Sequence, residues 1–150
     1  MVERVPGATI PSPPRGFDGF IRWVGEWSDQ LVLLEEIPLE QVRSAVRTTC
    51  GRVEEHLRSV EGWERRLTTP DRAAELVTIL RSDHRWFESS LQELSGLLAV
   101  VEGEDHGGHR QALGQYGRLL AAALVRHRRD ELELERLPPA EGTRPLRNAN

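Results

Sequence analysis

The chain has 150 residues, 38% hydrophobic and 29% charged, which predicts a single soluble domain large enough to bury a core. No apolar run approaches the roughly 20 residues of a membrane span, and the opening MVERVPGATIPSPP lacks the apolar stretch of a secretory signal. The net charge is -4, all 20 basic residues are arginine, and Cys50 is the one cysteine; this excludes a strongly basic nucleic-acid surface, lysine chemistry, and disulfide or multi-cysteine metal sites.

Residues 1–15, with Pro6, Pro11, Pro13 and Pro14, read as an irregular or disordered arm. Residues 16–139 form the organised domain, and 140–150 a disordered tail. Within the domain, apolar residues recur at spacings of three and four, the mark of amphipathic helices packed around a core. The first stripe runs through Phe17, Phe20, Val24, Trp27, Leu31 and Leu34 and predicts a helix over 17–36. The second, through Leu39, Val42, Val46, Thr49, Val53, His56 and on to Leu67, predicts a helix over 38–66, with Pro38 at its first position. The third, from Ala73 through Leu80, His84, Phe87, Leu94 and Val101, predicts a helix over 70–102, capped by Thr69 ahead of Pro70. A turn at 103–108 leads to the fourth, over 106–137, through Leu113, Leu120, His127, Glu131 and Leu134, and Pro138-Pro139 stops it. No segment alternates with the period of a strand. Short connections make sequential helices antiparallel neighbours, so the expected fold is all-α, an up-down-up-down four-helix bundle.

Three of the five histidines fall on these stripes, one on each of the last three helices: His56, His84 and His127. His106 and His109 sit by the glycine-rich turn and read as solvated. Glu131 occupies a core slot four residues after His127, and Glu88 flanks the third stripe four residues after His84. A buried carboxylate is costly unless a cation meets it, and imidazole with carboxylate is a ligand set for iron, manganese or zinc. Counting residues back to the turns puts His84 and His127 within about one helical turn of each other, and His56 about 6 Å from the level of His84. The expected cluster is His84, His127 and Glu131, with His56 within a turn. The tryptophans read as core or rim aromatics, and Cys50 as a small buried hydrophobe.

With LRSDHRWFESSLQEL on the third helix, HRRDELELERLPP on the fourth and RVEEHLRSVEGWERRL on the second, the chain resembles the hemerythrin-like (HHE cation-binding) family across about residues 16–139. The resemblance implies a four-helix bundle with a non-haem iron centre, ligated by His56, His84, His127 and Glu131. Two positions depart from the family pattern. The first helix carries no histidine, although Asp18-Gly19 falls near the level where a ligand would sit, and Val60 stands where a glutamate would follow His56.

Three functions remain open. The first is a metal-binding bundle for iron, oxygen or redox sensing or handling. The second is a bundle that has lost its metal and serves as an interaction or dimerisation module. The third is an oxygen-activating enzyme with a mononuclear site on His84, His127 and Glu131. The expected partners are a metal ion and a second copy of the chain, not nucleic acid or membrane, and the cysteine usage implies a reducing cytoplasm.

Overall fold

A computed structural model describes residues 7–59 and 72–137. Its regular elements are four helices: α1 (Phe17–Val32), α2 (Leu39–Ser59), α3 (Arg72–Gly103) and α4 (Gly107–Arg136). No strand occurs among the described residues. The predicted extension of the second helix to residue 66 and the Thr69-Pro70 start of the third lie outside the described residues, as do 138–150.

The starts of α1, α2 and α4 fall within one residue of expectation, but α1 ends four residues early. Leu34 has a positive φ of 56°. Around it the Leu34 N–H bonds the Leu31 carbonyl at 3.1 Å and the Glu35 N–H bonds the Gln30 carbonyl at 3.1 Å. That is the Schellman closure, normally made by glycine, here carried by a leucine. A left-handed conformation costs an L-residue with Cβ about 1–2 kcal/mol. Leu34→Gly should therefore raise stability by about 1 kcal/mol in denaturant unfolding, after glycine's greater unfolded-state entropy is subtracted. A loss instead would mean that the contact between Leu34 and Gly107 outweighs the strain. Pro38 caps α2 rather than opening it, since its carbonyl accepts from the Gln41 and Val42 N–H groups at 2.9 and 3.2 Å. His106, read as solvated, is the N-cap of α4: its Nδ1 accepts from the Gly108 and His109 amides at 3.0 and 3.3 Å.

The stripes become the core. Val46, Leu80, Leu94 and Leu120 are fully buried, together with Phe20, Trp27 and Phe87. Trp27 also shows how the core tolerates polarity. Its indole N–H donates to Thr49 Oγ1 at 3.2 Å, and that hydroxyl donates to the Ala45 carbonyl at 2.8 Å, so neither group is buried without a bond. A smaller cluster of Ala73, Leu76, Val77 and Leu80 packs on Leu134 at the opposite end.

α1 lies closest to α4 because α4 presents glycine there. Gly114 meets Ser28 and Leu31, Gly117 meets Ser28 and Trp27, and Gly25 meets Ala121. Further along, Arg128 pairs with Asp18 at 3.4 Å. Between α2 and α3, Arg43 pairs with Glu102 and Cys50 Sγ lies 3.8 Å from Ser95 Oγ. Residues 7–15 have no regular structure, and the bundle holds them. Trp23 donates to the Pro11 carbonyl at 2.7 Å, Ile10 N–H donates to Gln41, and Arg52 donates to the carbonyls of Pro14 and Arg15.

Candidate metal centre

His127 and Glu131, one turn apart on α4, both point into the bundle and are buried, at 0% and 3% exposure. His56, in the last described turn of α2, reaches the same place: its Nε2 is 2.9 Å from Glu131 Oε1. The other side of Glu131 Oε1 is 3.2 Å from His127 Nε2. One buried carboxylate oxygen thus lies between two imidazole nitrogens from different helices.

α3 supplies the next layer. Asp83 Oδ2 is 3.0 Å from His127 Nδ1, and Phe87, one turn on, sets its ring edge-on to His127 with centroids 5.1 Å apart. A carboxylate only accepts, so the hydrogen is on His127 Nδ1. Nε2 then faces the Glu131 oxygen at 3.2 Å. In a buried setting that approach is met by a proton on Nε2 or by a cation beside the two atoms. The same carboxylate–imidazole pairing orients histidine ligands in metal proteins. Spacing agrees: an ion about 2.1 Å from each ligand holds neighbouring ligand atoms roughly 3.0–3.4 Å apart, close to the 2.9 and 3.2 Å found here.

Among the described residues, the half-buried His56 and the buried His127 and Glu131 form a group whose ligand atoms all lie within 4.8 Å of one another. His84 is not in that group. Its ring is 5.4 Å from that of His127, and burial, then the neighbouring His127 and His56, push its pKa from the usual 6.5 down to about 4. Of the four expected residues, His56, His127 and Glu131 bring ligand atoms together, and His84 lies beside them, its ring as near to that of His127 (5.4 Å) as the ring of His56 is (5.6 Å), while its sequence neighbour Asp83 makes the polar contact to His127. Glu88 is exposed on the outer face of α3. Asp18 also turns outward, towards Arg128. α1 contributes an aromatic ring instead, with Phe17 stacked on His56 at 3.9 Å and 10°. Phe17, Arg52 and His56 line a surface cavity of about 500 Å³ beside the site. A second group, Glu104, His106 and His109, lies on the exposed α3–α4 turn. Cys50 is half-buried, and burial raises its thiol pKa. No family model, curated protein or solved structure matches the chain.

The depressed His84 gives a pH prediction. The folded protein resists protonating His84 more than the unfolded chain does, so this residue removes stability as pH falls from about 6.5 towards about 4. At neutral pH and without metal, His84→Leu should be neutral or stabilising by about 1 kcal/mol, because leucine fills the slot with no polar group to satisfy. In acid the variant should gain further on the parent. Chemical denaturation at pH 7 and pH 5 measures both, and an unchanged pH dependence refutes the assignment.

Proposed function

We propose that this chain is a hemerythrin-like, antiparallel up-down-up-down helical bundle that holds one non-haem metal ion on His56, His127 and Glu131. Iron is the metal the resemblance implies, and iron, oxygen or redox sensing or handling is the role. The observation that carries the reading is the orientation of His127. Asp83 holds Nδ1, which leaves Nε2 facing a buried carboxylate that His56 also reaches. Two imidazoles and one carboxylate suit iron, manganese or zinc, and a bound ion supplies the positive charge that the buried Glu131 calls for. The cavity beside His56 brings small molecules close to the centre.

A metal-free interaction module is the second reading, favoured by one observation. Phe17 lies flat on His56, on the side where a first-helix ligand would add to the set, and His56 meets Glu131 without an ion. Metal analysis of protein purified from iron-supplemented cells decides between the two. The metal reading expects about one ion per chain in the parent and none in His127→Ala or Glu131→Ala. A parent that carries no metal, and takes up none when iron or zinc is added, leaves the module reading in its place.

A further inference from the structure

Of the three candidate ligands, His56 is the one that meets solvent: its side chain is 13% exposed, against 3% for Glu131 and 0% for His127. The approach to the centre therefore runs past His56. The cavity beside it is lined by Pro13, Pro14, Arg15, Phe17 and Arg52, so the approach is built from the chain ahead of α1, the first residue of α1 and one arginine of α2. Side chains hold that leading segment. Gln41 accepts from the Ile10 N–H, and the carbonyls of Thr9, Pro11, Pro14 and Arg15 accept from Gln30, Trp23 and Arg52. None of these bonds belongs to a helix or sheet ladder, so the segment can lift locally at a small fraction of the free energy of unfolding. Arg52 is the tie nearest the centre. It stands one turn before His56 on the same face of α2. Its two terminal nitrogens donate to the Pro14 and Arg15 carbonyls, and its guanidinium lies 4.4 Å over the Phe20 ring. One turn on, His56 stacks on Phe17. The start of α1 is thus pinned to the end of α2 by two stacked pairs.

We propose that residues 7–17 form a gate over the His56 edge of the metal centre, with Arg52 as its latch. What passes the gate rests on the metal reading; the gate itself rests on the contacts just described. Closed, Phe17 covers one face of the His56 ring, and Arg52 holds the segment that leads into Phe17. When Arg52 releases the two carbonyls, Pro14 and Arg15 lift. Phe17 moves with them, because it opens α1 and a helix frays from its ends. That bares His56, the ligand through which an ion or a small molecule exchanges with solvent. A guanidinium bonded to two carbonyls and set over one aromatic ring is strong enough to keep such a segment down, and weak enough to let it open without unfolding the bundle.

Diethyl pyrocarbonate, which acylates accessible imidazole, tests the gate on the metal-free full chain, read histidine by histidine from peptide masses. In the parent, His56 should react far more slowly than the exposed His106. Arg52→Gln removes the two-carbonyl fork and should speed His56 on the order of tenfold, with helix content and the His127 rate unchanged. Phe17→Ala removes the cover and leaves the latch, and should speed His56 as well. Arg43→Gln breaks a pair with Glu102 on the same helix, away from the gate, and should leave His56 at the parent rate. A parent His56 as reactive as His106, or a His56 rate unmoved by either gate variant, overturns the proposal. So does a rate that Arg43→Gln raises equally. In protein that carries iron or zinc, Arg52→Gln should also release the ion to a chelator faster, at unchanged metal content. Release at the parent rate overturns the gate, whereas a chain that takes up no ion overturns the metal reading and leaves the acylation rates to decide the gate.

Discussion

Adding Fe(II) or Zn(II) to the metal-free protein should raise its melting temperature by roughly 5–10 °C when free ion is about a hundredfold above the dissociation constant. A ligand at that excess, bound only by the folded state, adds about 2.7 kcal/mol, and each kcal/mol moves the midpoint of a chain this long by about 2–4 °C. The ion must displace the proton that His56 Nε2 shares with Glu131, so protons compete and the gain should shrink on acidification. His127→Ala removes the nitrogen that Asp83 orients and should abolish the gain. His109→Ala alters only the exposed turn and should keep it. Each variant is compared with itself, with and without metal, because losing a fully buried side chain destabilises the protein on its own account. If His127→Ala responds to the ion as the parent does, the buried cluster does not hold it.

Gly114→Ala should destabilise the protein by about 2 kcal/mol. A Cβ there would sit 2.7 Å from the Ser28 carbonyl oxygen, 2.9 Å from Leu31 Cβ and 3.0 Å from Val32 Cγ2. The first two atoms belong to the backbone or its first branch, so no rotamer change relieves the clash and the helices must part. Overpacking of this kind costs about 1–3 kcal/mol or more, against about 1 kcal/mol that alanine returns in helix propensity. Gly96→Ala is the control. It lies mid-helix in α3 with nothing within 4 Å of its Cβ, so it should be stabilised by up to about 1 kcal/mol. Equal stability of the two variants would mean that α1 and α4 do not touch at glycine.

The helices were legible because apolar spacing follows burial directly: Val46, Leu80, Leu94 and Leu120 were core by pattern and are core in space. The pairing of His127 with Glu131 was legible for the same reason, since four residues on a helix return to one face. The arrangement across helices was not. Counting from turns gives height along a helix but not the direction a side chain takes around it. It therefore brought His84 near His127 but did not show that Asp83 and Phe87, four residues apart on α3, would meet His127 beside it. Part of the count also ran through residues 60–71, outside the described structure. Two ends were hidden for chemical reasons. Leucine is an unusual residue for a left-handed closure, so nothing marked Leu34 as a stop. Histidine is not a usual N-cap, so the glycines that follow His106 read as an open turn.

The cap made by His106 makes the exposed turn a poor competitor for metal. Its Nδ1 lone pair holds the first turn of α4, and an imidazole whose other nitrogen bears hydrogen has no second lone pair to offer. Any ion drawn to Glu104, His106 and His109 must take that lone pair and release two backbone amides. Occupancy at the turn therefore loosens the start of the helix whose far half carries His127 and Glu131. Metal supplied in excess should therefore go first to the buried His127–Glu131 pair, and an ion at the turn is held more weakly than its three side chains alone would hold it.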